Sequence, residues 1–316
     1  MTMALKYKTI ERCVFCDGVL RKKYSKMSDR LETIKKLFTV WECENCGVGV
    51  TVPFVIGEAG ALYPRNYLIK DGGSFMDRWY RYDQYRFDFS FLPKHIENFK
   101  LYLDIGCGSG DRVEFVRTGG CKKSFGIDKF DNIGEKKSNI INSEITDYKP
   151  VTKFEVVSLF HVLEHLENPE RILKYIRDNI LERNGFLIIQ VPNYGSWERK
   201  IFGRKWFGLD APRHLWHFSE NNLKRVIENV GFKPIKVIKR NAWLHPVTIV
   251  PSLFPELDVQ RIWIKHDGLK AVLLMFMWTI MTVLTIPISI VASIFSQGSM
   301  LTVVAVNTKD DITSIT

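Results

Sequence analysis

The chain has 316 residues, 46% hydrophobic and 25% charged. At roughly 150 residues per domain that suits about two globular units, and it excludes a mainly disordered, collagen-like or coiled-coil protein. A formal net charge of +10 favours anionic partners such as phosphates, nucleic acid or an acidic membrane surface, without choosing among them. Six cysteines are too few for a disulfide scaffold, and the N-terminus lacks the apolar core of a secretory signal, so reduced, cytosolic chemistry is expected.

Residues 1–56 form the first expected unit. Cys13-x-x-Cys16 and Cys43-x-x-Cys46 flank a basic middle, RKKYSKMSDR (21–30). Two thiolates three positions apart on a tight turn grip one face of a metal, and a second such turn closes a tetrahedron, so the spacing predicts a zinc ribbon. Gly18 and Gly47 suit its turns. Four thiolates leave no open coordination position, which makes this zinc structural. The alternatives are cysteines packed as small apolar residues, or a redox pair. Redox is disfavoured because neither pair opens a helix after a strand.

Residues 57–100 are rich in glycine and aromatics, including FMDRWYRYDQYRFDFSF (75–91). They read as a linker or lid, and the Tyr and Trp cluster at 79–85 as a lid helix or simple helix packing. From Leu101 short apolar runs alternate with helical stretches, the pattern of βαβ units and a largely parallel sheet. Expected strands are LYLDI (101–105), SFGID (124–128), FEVVSLF (154–160), GFLIIQV (185–191), FKPIKVIK (232–239) and MLTVVAVN (300–307). Expected helices cover 169–182 and 219–231, the second with Ser219 as N-cap and Gly231 as stop. The first strand ends in Asp104, followed by Gly106, Gly108 and Gly110. Glycines there let the backbone turn sharply and approach a ligand at a helix N-terminus. About 20 residues on, Asp128 ends the next strand, placed to accept hydrogen bonds from ribose hydroxyls.

This run of features resembles class I S-adenosylmethionine-dependent methyltransferases. The resemblance continues through Glu144-Ile145, through FEVVSLFHVLEHLENP (154–169) and through PNYGSWERKIFGRKWFGLDAPRHLWHFS (192–219). WECENCGVGVTVP (41–53) matches the zinc ribbon of one bacterial and archaeal branch. It departs at Glu155, where Asp is usual, and in the short stretch from Asp128 to Glu144. The resemblance implies an α/β fold: a Rossmann-like methyltransferase sheet over 101–316, an N-terminal zinc ribbon, and an apolar helical insertion at about 268–296 before the last strand. It implies S-adenosylmethionine held by Asp104, Gly106, Cys107, Gly108, Gly110, Asp128, Lys129, Glu144, Ile145, Phe160 and His161, with structural zinc on Cys13, Cys16, Cys43 and Cys46.

Methyl transfer from a sulfonium is an in-line displacement, so the protein mostly positions and desolvates. An oxygen or carbon acceptor still loses a proton, which calls for a base near neutral pKa, and His161, His214 and His217 are the candidates. His161-Val-Leu-Glu164-His165 also reads H-x-x-E-H, a zinc-peptidase pattern. Its place after a buried strand at the carboxyl edge of a cofactor-binding sheet argues against a peptidase. Three readings stay open: His161 as base, a divalent cation held by the triad, or local hydrogen bonding by Glu164 and His165. In PRHLWHF (212–218) Arg213 is a candidate to meet an anionic acceptor group and Trp216 to pack on the acceptor, unless the loop simply packs on its own aromatics.

Ala271 to Phe295 carries no charge and is long enough for a bilayer core of ~30 Å. The resemblance implies that 232–239 pairs antiparallel with 300–307 in one sheet, which forbids a single crossing between them. The expectation is a re-entrant or surface-lying excursion, kinked at Pro287, with Arg261, Lys265 and Lys270 toward anionic headgroups. A helix buried on the domain or on a second copy is the alternative. Together these features predict a methyltransferase at the cytoplasmic membrane face, peripheral or monotopic, acting at O or C of a small or membrane-linked acceptor: a sugar, a quinone-like ring or a lipid headgroup. The rivals are a nucleic-acid-binding or RNA-modifying zinc-ribbon protein, disfavoured by the lack of a basic stripe beyond 21–30, and a nicotinamide-dependent oxidoreductase, disfavoured by the glycine spacing.

Overall fold

The computed structural model describes residues 6–56, 62, 82, 84–86, 88, 89, 99–129, 139–239, 248–295 and 297–308. The expected 57–100 linker or lid falls largely outside them. Strands β1 (Lys6–Lys8), β2 (Leu20–Met27), β3 (Phe38–Cys43), β4 (Gly49–Val52) and β5 (Phe54–Ile56) build the N-terminal part. Antiparallel pairing of Leu20 with Cys43 at the start of β2 and end of β3 brings the two cysteine turns together. This ribbon is not self-contained. Strand β11 (Trp216–His217) adds to β4, completing the order β11-β4-β3-β2. Trp216 then packs edge-on against Phe15 and Phe54, with centroids 4.8 and 5.1 Å away, and joins the ribbon to the main core.

The main sheet contains β6 (Leu101–Ile105), β7 (Lys123–Asp128), β8 (Ile140–Asn142), β9 (Phe154–Phe160), β10 (Leu181–Pro192), β12 (Phe232–Ile238) and β13 (Met300–Asn307), in the order β12-β13-β10-β9-β6-β7-β8. The β6–β7, β7–β8, β6–β9 and β9–β10 pairs are parallel, and β13 lies antiparallel between β10 and β12. The apolar runs are continuous because central parallel strands are buried on both faces. The order reverses beside β6, and the crevice at such a switch point is where open α/β sheets bind ligands.

The helices are α1 (Asp111–Thr118), α2 (Pro169–Tyr175), α3 (Trp197–Phe202), α4 (Glu220–Asn229), α5 (Ile249–Leu253), α6 (Val259–Lys265) and α7 (Gly268–Ile294). Ser219 and Asn222 form a reciprocal capping box at α4, and Gly231 beyond its end has φ +87°. The helix expected over 169–182 ends earlier. It widens into a π turn at Ile176–Ile180, before Leu181 pairs with Phe154 at the start of β10. Helix α7 continues through Pro287.

A buried charge network ties three separate segments together. The Arg213 guanidinium has no exposed side-chain surface and forks onto Asp210 at 3.0 and 2.6 Å, while also reaching Asp29 at 2.8 Å. Arg30 bonds Asp210 at 2.9 Å, Gln260 at 2.6 Å and Asp258, and its guanidinium lies 4.5 Å from the Phe207 ring centroid. Asp29 is further held by the backbone N–H groups of Leu31, Thr33 and Ile34. Arg213 is therefore an internal brace rather than a contact for an anionic acceptor, and Trp216, 2% exposed, packs on the ribbon rather than on an acceptor. Arg213→Ala leaves Asp29 without its cation and Asp210 with Arg30 alone, and urea unfolding is expected to show a loss of about 3–5 kcal/mol.

Candidate active site

A cavity of about 430 Å³ opens at the carboxyl edge of the sheet, within the ~300–1,000 Å³ usual for small-molecule sites. Its first end is the glycine loop. Gly106 and Cys107 donate their N–H groups to Ile127 O, and Gly108 donates to Asp128 Oδ2 at 2.9 Å, so the loop is sewn to the end of β7. Gly106 has φ +70°, and a Cβ there would stand 2.4 Å from Val162 Cγ2. Only glycine meets both demands. Gly108, at φ +53°, has nothing within 4 Å of a Cβ position, which is the open approach a ligand backbone contact requires.

The predicted cofactor residues divide in two. Gly106, Gly108, Asp128, Lys129, Glu144, Ile145 and His161 line the cavity, with Lys129 Nζ 3.3 Å from the Glu144 carboxylate. Asp104, Cys107, Gly110 and Phe160 are not among the lining residues. Asp104 is 1% exposed and accepts a 2.6 Å bond from Ser158 Oγ, with Arg112 3.8 Å away. Burial pushes its pKa up against the pull of Arg112. Gly110 takes φ +75° as the N-cap of α1, and the Phe160 ring is covered by the Arg112 guanidinium at 3.8 Å. These residues shape the loop from behind.

The second end draws on distant segments: Arg30, Trp206, Phe207, Asp210, His214, Thr248, Gln260, Ser299 and Met300. Of these only His214 was singled out from sequence. Arg30 lay inside a basic run that resembles a solvated face, and Thr248 and Gln260 fall between β12 and α7, where no local pattern marked them.

The H-x-x-E-H segment does not form an α-helix. Leu163–His165 is a single 3-10 turn, and His161 precedes it at φ +58°, a left-handed conformation that costs a non-glycine residue ~1–3 kcal/mol and recurs at functional sites. Leu163 is fully buried, and Leu215 N–H bonds Glu164 O at 2.8 Å. That bond fixes the PRHLWHF loop against this turn and brings His214 to it. His161 Nδ1 stands 3.5 Å and His214 Nε2 3.9 Å from Glu164 Oε1. Burial raises the Glu164 pKa, but His161, His165 and His214 outweigh it and hold the carboxyl at about 2. Burial, with His165 adding to it, lowers His214 to about 4.

His217 takes another path. It is 3% exposed, outside the cavity lining, 2.9 Å from Thr51 Oγ1 through Nε2 and stacked on Tyr194. The cysteines do converge. Cys13 and Cys46 Sγ lie 3.6 Å apart, Cys16 and Cys43 Sγ 3.5 Å, and all four within 4.8 Å of one another.

A sheet of this order, with a glycine loop after β6 bonded to the acid that ends β7, is a Rossmann-like α/β sheet. A family model described as a methyltransferase domain matches residues 76–237, half of the chain. The chain belongs to this family and is a class I S-adenosylmethionine-dependent methyltransferase. No curated protein matches it. Solved structures of similar fold include a methyltransferase from Archaeoglobus fulgidus, at 19% identity and TM-score 0.47, covering 72% of this chain and 94% of that one. One from Mesorhizobium loti shows 13% identity and TM-score 0.44, covering 71% and 97%. The Burkholderia thailandensis 1,6-didemethyltoxoflavin-N1-methyltransferase, solved with S-adenosylhomocysteine, shows 13% identity and TM-score 0.46, covering 85% and 95%.

Two outcomes follow. Asp128→Ala is expected to weaken S-adenosylhomocysteine binding by about 1.5–3 kcal/mol in calorimetry, the scale of hydrogen bonds to a charged group. His217 gives a pH dependence: burial, reinforced by His214, lowers it from 6.5 to about 3. The unfolded chain takes up this proton first, so stability falls as pH drops across that interval, by up to ~1.4 kcal/mol per pH unit. Urea unfolding of His217→Gln should show a shallower slope there.

Proposed function

We propose that this methyltransferase acts on an acceptor presented at a membrane surface, a lipid-linked sugar, a quinone-like ring or a lipid headgroup, and that its ribbon holds a structural zinc. The observation carrying the membrane reading is that α7 is inside out. Its protein-facing residues are small or polar, with Ser289 1%, Ala271 5% and Thr282 9% exposed, while Phe276, Leu284 and Ile294 stand 62, 63 and 70% exposed. A soluble helix does the reverse. The window Gly268–Ala292 has a mean hydropathy of 2.2.

Topology favours an in-plane orientation. Before α7, α6 is tied to the ribbon by Arg261 and Lys265 on Glu32, and its cap Asp258 is held by Arg30. After it, Gly298 N–H bonds Lys239 O beside the sheet. A helix of 27 residues is ~40 Å long at 1.5 Å per residue. With both ends fastened to one globular body, it lies along that body with its apolar side outward. Arg261 and Lys265 are thus engaged in ion pairs rather than held out for headgroups. Thr248, Gln260 and Ser299, from the segments that flank α7, line the cavity, and this proximity supports an acceptor delivered from the side of α7.

Bound S-adenosylmethionine supplies an electrophilic methyl group. Gly106, Gly108 and Asp128 would hold its amino-acid and ribose parts, and Glu144 with Ile145 the adenine. His161 is the base proposed for the acceptor proton: Glu164 faces its Nδ1 and keeps the ring turned so that it remains on the cavity wall. For the ribbon, tetrahedral Zn–S bonds of ~2.3 Å set sulfurs ~3.8 Å apart, close to the separations seen. Cys43→Ser is expected to remove that zinc and lower thermal stability, by metal analysis and calorimetry.

Incubation with bacterial membranes and methyl-tritiated cofactor should put label into solvent-extractable lipid. Label in RNA or protein would instead support the zinc-ribbon nucleic-acid reading or a soluble acceptor. The intact chain should float with anionic vesicles, whereas Phe276→Glu combined with Leu284→Glu should remain unbound while keeping S-adenosylhomocysteine affinity. A wild type that ignores vesicles and sediments as a detergent-independent dimer would mean that a second copy covers α7.

A further inference from the structure

Beneath the second end of the cavity lies a ligating group that cofactor binding leaves unused. Glu164 is 1% exposed, and among the described residues its carboxylate meets only a long approach from His161 Nδ1, 3.5 Å from Oε1, with no hydrogen bond of normal geometry to either oxygen. A buried carboxylate in that condition is costly unless a cation meets it. Two imidazoles are set to supply the remaining ligands. His214 Nδ1 lies 2.8 Å from Gly208 O, and His165 Nδ1 lies 2.9 Å from Arg213 O. A carbonyl oxygen has no hydrogen to give, so each Nδ1 is the donor, and in the neutral ring Nε2 carries the lone pair.

His214 therefore aims a lone pair at a carboxylate oxygen 3.9 Å away. Two acceptors face each other, an arrangement that repels until a cation comes between them. An Nδ1–H anchored on a backbone carbonyl is also the support that orients metal-binding histidines. A carboxylate oxygen of Glu164 and a ring nitrogen each of His165 and His214 all lie within 4.8 Å of one another. Tetrahedral ligands at ~2.0–2.2 Å from an ion stand ~3.3–3.6 Å apart, so small side-chain rotations close the set. The ligands come from two segments, and the backbone bond from Leu215 to Glu164 holds those segments in register.

We propose that Glu164, His165 and His214 bind a divalent transition-metal ion of the zinc class, distinct from the ribbon zinc, with an open position toward the cavity that His161, His165 and His214 line. Two nitrogens and one carboxylate oxygen form the donor set of sites that keep a place for an exogenous oxygen. The ligation is independent of the acceptor. Its use, to take an acceptor oxygen into coordination and favour its ionised form, rests on the acceptor class proposed above.

The test is metal counting on the full-length protein purified without chelator and then equilibrated with zinc. Two ions per chain are expected in the wild type, and one in Glu164→Gln and in His214→Ala. Both variants should retain S-adenosylhomocysteine binding, which reports folding. Cys43→Ser should lose the other ion and keep this one. Cobalt substitution separates the sites: the ribbon ion gives thiolate-to-metal charge transfer, and the second adds ligand-field absorption without it. A single ion in the wild type, held by thiolates, overturns the proposal, as does a second ion that survives both Glu164→Gln and His214→Ala. A protonated His214 in nitrogen-15 spectra of zinc-saturated protein also overturns it, because the proton then fills the gap. Loss of lipid labelling with two ions intact would count against the acceptor class alone.

Discussion

The buried pairing of Arg213 with Asp210 and Asp29 is the constraint on which the rest of the molecule depends. A guanidinium with no exposed surface is tolerable only when its fork is filled, and here the carboxylates come from a loop beside it and from the ribbon. Asp210 in turn holds Arg30, which reaches Asp258 and Gln260 at the start of α6, just before α7. Burial alone would raise the Asp210 pKa, but Arg213 and Arg30 hold it well below the usual range. The network need not stabilise more than an apolar core of the same volume. Its geometric demands are stricter, since each charge must find its partner or be stranded. Ribbon, transfer domain and insertion are thereby fixed in one register.

That register decides what the cavity is. Part of its wall is built locally, from the glycine loop and the ends of adjacent parallel strands. The rest has no single parent segment: Arg30 comes from the ribbon, Phe207 and His214 from the loop before β11, and Thr248, Gln260 and Ser299 from the segments on either side of α7. The ribbon is accordingly a wall of the site as well as a fold element, since β11 completes its sheet and the same loop carries His214 and Arg213.

The helix α7 inverts the ordinary logic of burial. Ser289, Thr282 and Ala271 face the protein, where small side chains allow close approach, and the large apolar side chains are left outside. Thr279 and Thr285 return their hydroxyls to carbonyls of their own helix, which removes polar groups from a surface that lipid would cover. Attachment at both ends to the same body makes the helix lie along that body rather than project from it.

Strand identity, the glycine loop and the paired cysteines were legible in the sequence because each is a local pattern with a local cause. Period and apolar runs marked β6, β9 and β13, positive φ explains why Gly106 and Gly108 are glycine, and Cys-x-x-Cys spacing is set by one turn. The antiparallel last strand was legible only through family resemblance. What the sequence left open were choices between partners far apart in the chain. PRHLWHF offered Arg213 for an anionic group, Trp216 for packing on the acceptor and His214 and His217 as bases, and only tertiary structure sent Arg213 and His217 inward, Trp216 onto the ribbon and His214 to the cavity. The spacing of H-x-x-E-H would set its polar residues on one face of a helix, yet Leu163–His165, with Leu163 buried and Leu215 bonded to Glu164, is a 3-10 turn that meets His214 from another segment. A local motif fixes which atoms are available; the long-range packing of buried charges and aromatic rings decides which of them meet.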